Sequence, residues 1–395
     1  MSRAGNISLN FTGIHDINFR KSSRSKTRMR SRGSFFGGFC RKGFFMNIVV
    51  LAGGLSPERD VSLSTGTMVT NALRQKGHSA VLVDLFLGVP APVNAGPESF
   101  CTSGMLRDLP VPETAPDLDR IRTSRKGGFS DQIGNGVLEL CRAADLTFLA
   151  LHGGIGENGA LQSFFDLCGI RYTGSPSLGC ALAMNKDATK SLFRMGGIPT
   201  ADWTTIRRGE PYDFSAFPMP CVVKPTSGGS SIGVAIVRDK KDLAGAIESG
   251  FRYEDELIVE AYVEGMELSA GVLASGSDEP IALPLIEIVP KHGFYDYQHK
   301  YQKGWTDEIV PARIPPDRTA EIQAFAVRAF QALRLGVYAR LDLLLTREGG
   351  MYFLEANTLP GMTKTSLLPQ EAAGYGLDYP ALCEYIVSSS LRKYE

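Results

Sequence analysis

The 395-residue chain lacks most of the marks of a metal, redox or membrane protein. Its seven cysteines (Cys40, Cys101, Cys141, Cys168, Cys180, Cys221 and Cys383) are scattered with no CxxC pair. They read as small apolar residues in a reducing compartment, not as disulfides or zinc ligands. Five histidines occur without HExxH spacing. No apolar run approaches the ~20 residues that span a bilayer. The 42 basic and 42 acidic residues cancel. That balance argues against a nucleic-acid or membrane surface as the main partner, and a cytoplasmic location is expected. The turn after the first strand, Gly53–Ser62, lacks GxGxxG, which weakens a dinucleotide reading there. GxxxxGK(S/T) is missing too, which excludes a Walker-type phosphate loop.

What is present begins with a tail unlike the rest. Residues 1–45 place Arg20, Lys21, Arg24, Lys26, Arg28, Arg30, Arg32, Arg41 and Lys42 among serines and glycines, with Asp16 the only acid. Such a composition is seen in organelle transit peptides. Met46, however, directly precedes a clean first strand, so an overcalled start or a disordered tail is the favoured reading of 1–45.

From Asn47 the chain alternates strand, Gly-rich turn, helix (about Ser62 to Lys76) and strand (Ala80–Phe86), a βαβ opening that predicts a parallel sheet. Residues 88–135, rich in Pro, Gly and Ser, read as a variable loop. Strand Thr147–Leu151, helix Ala160–Leu167 and a short strand near Tyr172 follow. A second block holds helix 186–195, strands Pro220–Pro225 and Gly233–Val237, helix 240–249 and strand Leu257–Val263. The last block contains strands 267–274 and 281–289, a polar and aromatic excursion at 291–306, helix 317–335, a hairpin and a closing helix. The expected domains are 46–174, 175–263 and 264–395, in an α/β chain whose parallel N-terminal sheet precedes two further domains.

The hairpin is the most informative segment. Leu341–Thr346 and Met351–Leu354 flank the turn signal Arg347-Glu348-Gly349-Gly350. A loop centred between Glu348 and Gly349 puts Asp342 opposite Glu355 and Arg340 opposite Asn357. Residues two apart on a strand share a face, so all four project together. Facing carboxylates at ~5 Å repel unless a cation lies between them. An all-oxygen set of two acids and an amide suits Mg²⁺ better than zinc. The alternative is a solvated strand face with incidental charges.

Other motifs are individually weaker. Val223-Lys224-Pro225 runs into a Gly/Ser loop containing Ser230, which could close backbone N–H groups over an anion beside a fixed cation, or be a flexible hairpin tip. Glu260, Glu264 and Glu267 lie at a strand end. Glu267 could hold ribose hydroxyls and the 260–263 backbone a purine edge, or the acids could simply face solvent. Lys186 in a first helical turn is equally consistent with an ordinary surface lysine. Gly53-Gly54-Leu55-Ser56-Pro57-Glu58-Arg59 follows the first strand, where α/β folds place ligands. Ser62 could cap the helix, whereas Glu58 could hold a substrate ammonium.

Five segments together resemble the D-alanine–D-alanine ligase family. They are the Gly-Gly-x-Ser-x-Glu-Arg-x-Val-Ser run at 53–62, the segment Leu151-His152-Gly-x-x-Gly-Glu-x-Gly, Val-Lys224-Pro…Gly-Ser-Ser, Phe-Tyr-Asp-Tyr-x-x-Lys300-Tyr301, and Arg340-x-Asp342…Glu355-Ala-Asn357-x-x-Pro-Gly361-Met-Thr. They occur in order over roughly residues 47–392. The resemblance implies an ATP-grasp fold, with nucleotide held between the last two domains. It implies Lys186 and Lys224 on the ATP phosphates, Glu260, Ala261 and Val263 at adenine, and Glu267 at ribose. Asp342, Glu355 and Asn357 would hold two Mg²⁺ ions, or Mn²⁺ in their place. Glu58, Ser230 and Tyr301 would orient the first D-alanine, with His152 at the substrate pocket. Lys300, Ser366 and Leu367 would face the second amino acid's carboxylate, and Arg340 with the Gly361 N–H would stabilise the oxyanion.

The chain departs from the family pattern at Asn185 and at Glu157-Asn158-Gly159, neither expected to touch a chemical residue, and at Ala261. The implied activity is ATP-dependent joining of two D-alanines through an acyl phosphate for peptidoglycan precursors, by a homodimer. The excursion 291–306, with Tyr295, Tyr297, Tyr301 and Trp305, would be a lid. Tyr301, where related D-lactate ester-forming members commonly carry phenylalanine, favours peptide formation. The alternatives are a D-Ala–D-Ser or D-Ala–D-lactate ligase and a catalytically silent ATP-binding regulator.

Overall fold

The computed structural model describes residues 45–89, 95–100, 104–112, 114–125, 130–229, 232–276, 278–291 and 305–395. All of them belong to one unit, Phe45–Glu395. The basic tail and nearly all of the expected lid lie outside the described residues, so the expectations for both do too.

The first sheet is parallel, as the βαβ opening predicts. β1 (Asn47–Ala52) lies between β2 (Ser79–Asp84) and β3 (Leu146–Leu149). Ile48 to Ala52 are completely buried, as expected of a strand covered on both faces. Helix α1 (Arg59–Gln75) makes the crossover and comes close enough that a Cβ at Gly66 would lie 2.6 Å from that of Ala52. It starts three residues before the expected Ser62. Ser62 is therefore not the cap. Its Oγ accepts from Gly53 N (2.8 Å) and donates to Ala150 O (2.7 Å), tying the turns after β1 and β3 together. Short helices α2 (Leu118–Ser124) and α3 (Val137–Ala143) follow β2. After β3 come α4 (Gly154–Glu157) and α5 (Ala160–Cys168). The strand expected near Tyr172 is a single bridge to Thr147.

Helices α6 (Ser177–Met184) and α7 (Lys186–Met195) lead to an antiparallel sheet. Its strands β4 (Trp203–Arg207), β5 (Cys221–Pro225), β6 (Ala235–Val237) and β7 (Glu256–Ala261) lie in the order β4-β7-β5-β6. Helix α8 (Leu243–Gly250) packs Leu243 and Ile247 on this sheet, burying them with Val223, Leu257 and Val259.

The third sheet has β8 (Met266–Leu273) and β12 (Tyr338–Leu345) at its centre, in the path β11-β10-β8-β12-β13, with β9 also on β8. The remaining strands are β9 (Ile281–Ala282), β10 (Ile286–Pro290), β11 (Thr306–Ile309) and β13 (Met351–Asn357). The single strand expected at 281–289 is broken, because Pro284 has no N–H to give the ladder. Helix α9 (Pro316–Ala332) buries Ile322, Ala326, Ala329 and Phe330 against this sheet, and Ala183 and Phe193 of α6 and α7 join the same core. The closing helix is two helices, α10 (Leu367–Tyr375) and α11 (Tyr379–Leu391). Gly376 ends the first at φ 100°, a left-handed conformation that glycine adopts without strain. Among the described residues no helix is long and apolar enough to cross a membrane. Five cysteines are described, all are free, and four of them are buried.

Candidate active site

The hairpin places its four polar residues as the sequence predicts. Arg340 pairs with Asn357, and Asp342 with Glu355. The turn is centred on Glu348, half a residue earlier than expected, and a bulge after Asp342 restores the site register. Arg340 donates through Nε and Nη2 to Asp342 Oδ1 and Oδ2 at 2.9 and 2.8 Å. Asn357 Nδ2 donates to Asp342 Oδ2 at 2.9 Å, which leaves its Oδ1 as an oxygen donor.

Two cavities meet at this hairpin, sharing Lys186, Gly228, Gly229 and Glu355 in their walls. The larger, about 480 Å³, runs between the second and third sheets. Its walls combine apolar Val222, Ile236, Ile288 and Leu344 with Lys224, Glu260 to Val263, Glu267 and Asp342. The smaller, about 90 Å³, is lined by Glu58, His152, Glu157, Arg340, Asn357, Gly361, Ser366 and Leu367, among others. The expected residues thus divide into a long partly apolar slot and a small polar chamber at one end of it. Ser230, Lys300 and Tyr301 lie outside the described residues.

At the wall of the slot, Lys224 and, behind it, the buried Lys190 flank one buried acid. Lys224 Nζ lies 2.5 Å from Glu260 Oε1, and Lys190 Nζ lies 3.0 Å from Glu260 Oε2. Burial alone would push the Glu260 carboxyl up, but the two ammonium groups outweigh it and hold it below the usual range. Lys190 escaped the sequence reading, although it sits one helical turn from Lys186 on the same face of α7. Lys186 Nζ donates to Gly228 O at 2.7 Å and lies 3.8 Å from Glu355 Oε2. Burial lowers its pKa, and Glu355 acts in the opposite direction. Asn185, one departure from the family pattern, accepts from Ala188 N at 2.8 Å and caps α7. Ala261 donates its backbone N–H to Asp202 O at 2.8 Å.

Behind the chamber wall, buried Arg59 is spent locally. It donates to Gly54 O at 2.6 Å and pairs with Asp84, while the neighbouring Glu58 lines the cavity. His152 has both ring nitrogens engaged, Nδ1 with Leu359 O (3.0 Å) and Nε2 with Thr65 Oγ1 (3.0 Å). A carbonyl can only accept, so Nδ1 carries the proton and Nε2 accepts from the hydroxyl. Burial lowers the His152 pKa, and this neutral tautomer follows.

Glu157 holds the other end of the same residue. Its Oε1 accepts from Leu359 N (3.2 Å) and its Oε2 from Gly153 N (2.9 Å). The sequence reading kept the Glu157-Asn158-Gly159 segment away from the chemistry. Its hydrogen-bond partners, Gly153 and Leu359, are indeed not residues expected to carry chemistry, but Glu157 itself lines the chamber and fixes the loop two residues before Gly361. Among the described residues the Gly361 N–H has no hydrogen-bond acceptor, and a Cβ there would meet Ser366 Oγ at 2.7 Å. Ser366 Oγ in turn accepts from Thr363 N at 3.1 Å.

Asp342, Glu355 and the Asn357 amide oxygen are the oxygen donors here that could hold a divalent ion. Among the described residues no group of three His, Cys, Asp or Glu forms a closed metal cage. Two carboxylates and an amide fit Mg²⁺ that arrives with substrate phosphates and takes its remaining ligands from them.

Comparison with known proteins finds relatives over most of the chain. Residues 47–175 match the family model described as D-ala D-ala ligase N-terminus, and residues 192–388 match D-ala D-ala ligase C-terminus. The chain is 44% identical over 356 residues to a D-alanine–D-alanine ligase of Pediococcus pentosaceus, covering 89% of this chain and 99% of that protein. It is 41% identical over 351 residues to the Lacticaseibacillus casei protein of the same name, covering 88% and 97%. The crystal structure of D-alanine–D-alanine ligase from Bacillus anthracis complexed with ATP superimposes with a TM-score of 0.66 at 30% identity, covering 89% of this chain and 99% of that one.

Proposed function

The chain belongs to the D-alanine–D-alanine ligase family, and we propose that its two joined cavities carry out the ATP-dependent ligation of two D-alanines to D-alanyl-D-alanine. The observation that carries this reading is the meeting of the lysine-lined slot with the Glu58–Arg340–Gly361 chamber at one hairpin.

The slot is long enough for a nucleotide, within the ~300–1,000 Å³ typical of ligand sites. Its apolar walls and the backbone of Glu260 to Val263 take the base, and Glu267 the ribose. The Glu260 carboxylate is committed to Lys224 and Lys190, so it fixes the height of Lys224 while its own backbone borders the base. Lys224 and Lys186 then face the phosphates and spread the charge of the transferring phosphoryl group. Asp342, Glu355 and Asn357 would hold Mg²⁺, which when bound neutralises the β- and γ-phosphate oxygens.

Glu58 binds the first D-alanine through its ammonium. That substrate's carboxylate oxygen attacks the γ-phosphorus, the bond to ADP breaks, and an acyl phosphate forms. The amine of the second D-alanine, with its carboxylate at Ser366 and the first turn of α10, then attacks the acyl carbon. Arg340 and the Gly361 N–H meet the developing oxyanion, phosphate leaves, and the peptide bond remains. His152 and Glu157 act by pinning Leu359, so the Gly361 N–H is already in place before charge develops.

Assembly as a homodimer in the cytoplasm belongs to the same proposal, as does a division into domains near 174 and 263. Leu167 and Leu178 are exposed on α5 and α6, where a second copy could cover them. The test of the reaction is mass spectrometry of products formed from ATP with D-alanine, D-serine and D-lactate supplied together. D-Alanyl-D-alanine should dominate. A D-serine or D-lactate product in excess would reassign the acceptor.

A further inference from the structure

One buried acid next to the chamber is not used by the reaction as described. Glu371, on α10, is completely buried. Its Oε1 accepts from Gly271 N at 3.0 Å. Leu368 Cδ1 and Glu371 Oε2 lie 2.6 and 2.7 Å from where a Cβ on Gly271 would stand, so a leucine methyl and the carboxyl share the place of the missing side chain. Gly271 is the register partner of Arg340 across β8 and β12. Cross-strand partners project to the same face of a sheet.

The spacing of that pair is known from its hydrogen bonds. Gly271 gives its N–H to Glu371 and its C=O to Leu283 N, both on the side away from β12. The Arg340–Gly271 pair is therefore the closely spaced kind, without hydrogen bonds between the two residues. Pro284 interrupts the ladder between β9 and β10, and beside that break Glu371 Oε1 takes the Gly271 N–H. The next row of the same face pairs Ser269 with Asp342. The Ser269 hydroxyl and Glu371 Oε2 are both buried on this face, and Ser269 acts on the Glu371 carboxyl as a hydrogen-bond donor that lowers its pKa.

We propose that Glu371 is a positioning residue for Arg340, reaching through the space of Gly271 to hold the guanidinium on the side opposite Asp342. Its use follows from the double duty of Asp342, which both grips Arg340 and stands in the metal set. A second acid beside Arg340 keeps the guanidinium aimed at the acyl carbon when Asp342 turns to the metal. Burial dominates and leaves the Glu371 carboxyl raised to about 8, while among charged groups Arg340 acts on it most strongly, in the downward direction, and Asp342 raises it.

The inference rests on Arg340 serving the oxyanion, and the experiment separates the two ideas. Glu371→Gln keeps the size and an acceptor for Gly271 N, but presents an NH₂ to Arg340 in place of an oxygen. A packing role tolerates this change; a positioning role does not. The expected result is a fall in kcat of ~10–100-fold, the range seen when outer partners of reactive groups are removed. The KM for ATP and the melting temperature should stay close to those of the unaltered protein. In an Arg340→Ala background the same substitution should cost nothing further, within about twofold.

A Glu371→Gln protein with unchanged kcat overturns the inference. So does a double variant whose losses multiply, because Glu371 would then act independently of Arg340. If Arg340→Ala alone leaves kcat intact, the oxyanion role of Arg340 fails, and the inference falls with it for that separate reason.

Discussion

Arg340 grips Asp342 with two hydrogen bonds, at 2.9 and 2.8 Å, although the proposed reaction gives the two residues different tasks. One is to meet an oxyanion and the other a metal. Their pairing means that charge placed on either is felt by the other, which links metal loading to the aim of the guanidinium. Asp342→Asn should raise the Mg²⁺ concentration needed for half-maximal activity by at least ~10-fold. Titration of activity with Mg²⁺ reads this directly. An unchanged Mg²⁺ requirement would take Asp342 out of the metal set.

Arg340→Ala should lower kcat by ~10²–10³-fold, the usual loss on removing one oxyanion donor. The KM for ATP should change little, because Arg340 lines the small chamber and not the slot. Steady-state kinetics with ATP varied at saturating D-alanine separates these parameters. A rise in KM with kcat preserved would move Arg340 from the transition state to ground-state binding.

Glu260→Gln removes the anion from between two buried lysines. Leaving buried charges without their partner typically costs ~3–5 kcal/mol. Urea unfolding should show a loss of that order, together with weaker ATP binding as Lys224 loses its anchor. Stability within ~0.5 kcal/mol of the unaltered protein would mean that the lysines find other partners.

Glu157 supplies a pH dependence with a definite sign. Its carboxyl is pushed from 4.5 up to about 8, first by burial and then by the charge of Glu58. The amides of Gly153 and Leu359 and the Arg340 guanidinium act the other way. In the unfolded chain it is deprotonated above about 4.5, whereas the folded protein keeps the proton. Its contribution is therefore complete below pH 4.5 and is lost as pH rises toward about 8, amounting to a few kcal/mol. His152, buried and neutral with a lowered pKa, works oppositely, since its contribution falls as pH drops below 6.5. Glu157→Gln should thus gain stability relative to the unaltered protein as pH goes from 5 to 9. Parallel urea curves at the two pH values would check this, and a constant difference between the proteins would contradict it.

Much of the site was legible in the sequence because strand periodicity is strict. Two apolar runs around a Gly-Gly turn were enough to place Arg340, Asp342, Glu355 and Asn357 on one face, and the fold follows the family that the motifs resemble. Lys190 could have been found from its i+4 spacing to Lys186. Glu157 lay inside a motif already noticed, but its reach to Leu359, 202 residues away, is a tertiary fact. Glu371 carries no local signal, since a glutamate in a helix near the C-terminus reads as a solvent-facing residue. The one hint was a glycine in the middle of Met266–Leu273, a residue that weakens a strand unless another group must approach closely. The split of 281–289 at Pro284 was also readable from the missing N–H, and beside it the Gly271 N–H goes to Glu371.

The central claim is that this chain uses ATP to join two D-alanines, and phosphate release tests it most directly. With ATP and Mg²⁺, D-alanine should trigger phosphate release with one phosphate per dipeptide formed. L-Alanine, or no amino acid, should give only background. Release that is independent of D-alanine, or absent with every amino acid, would contradict the account.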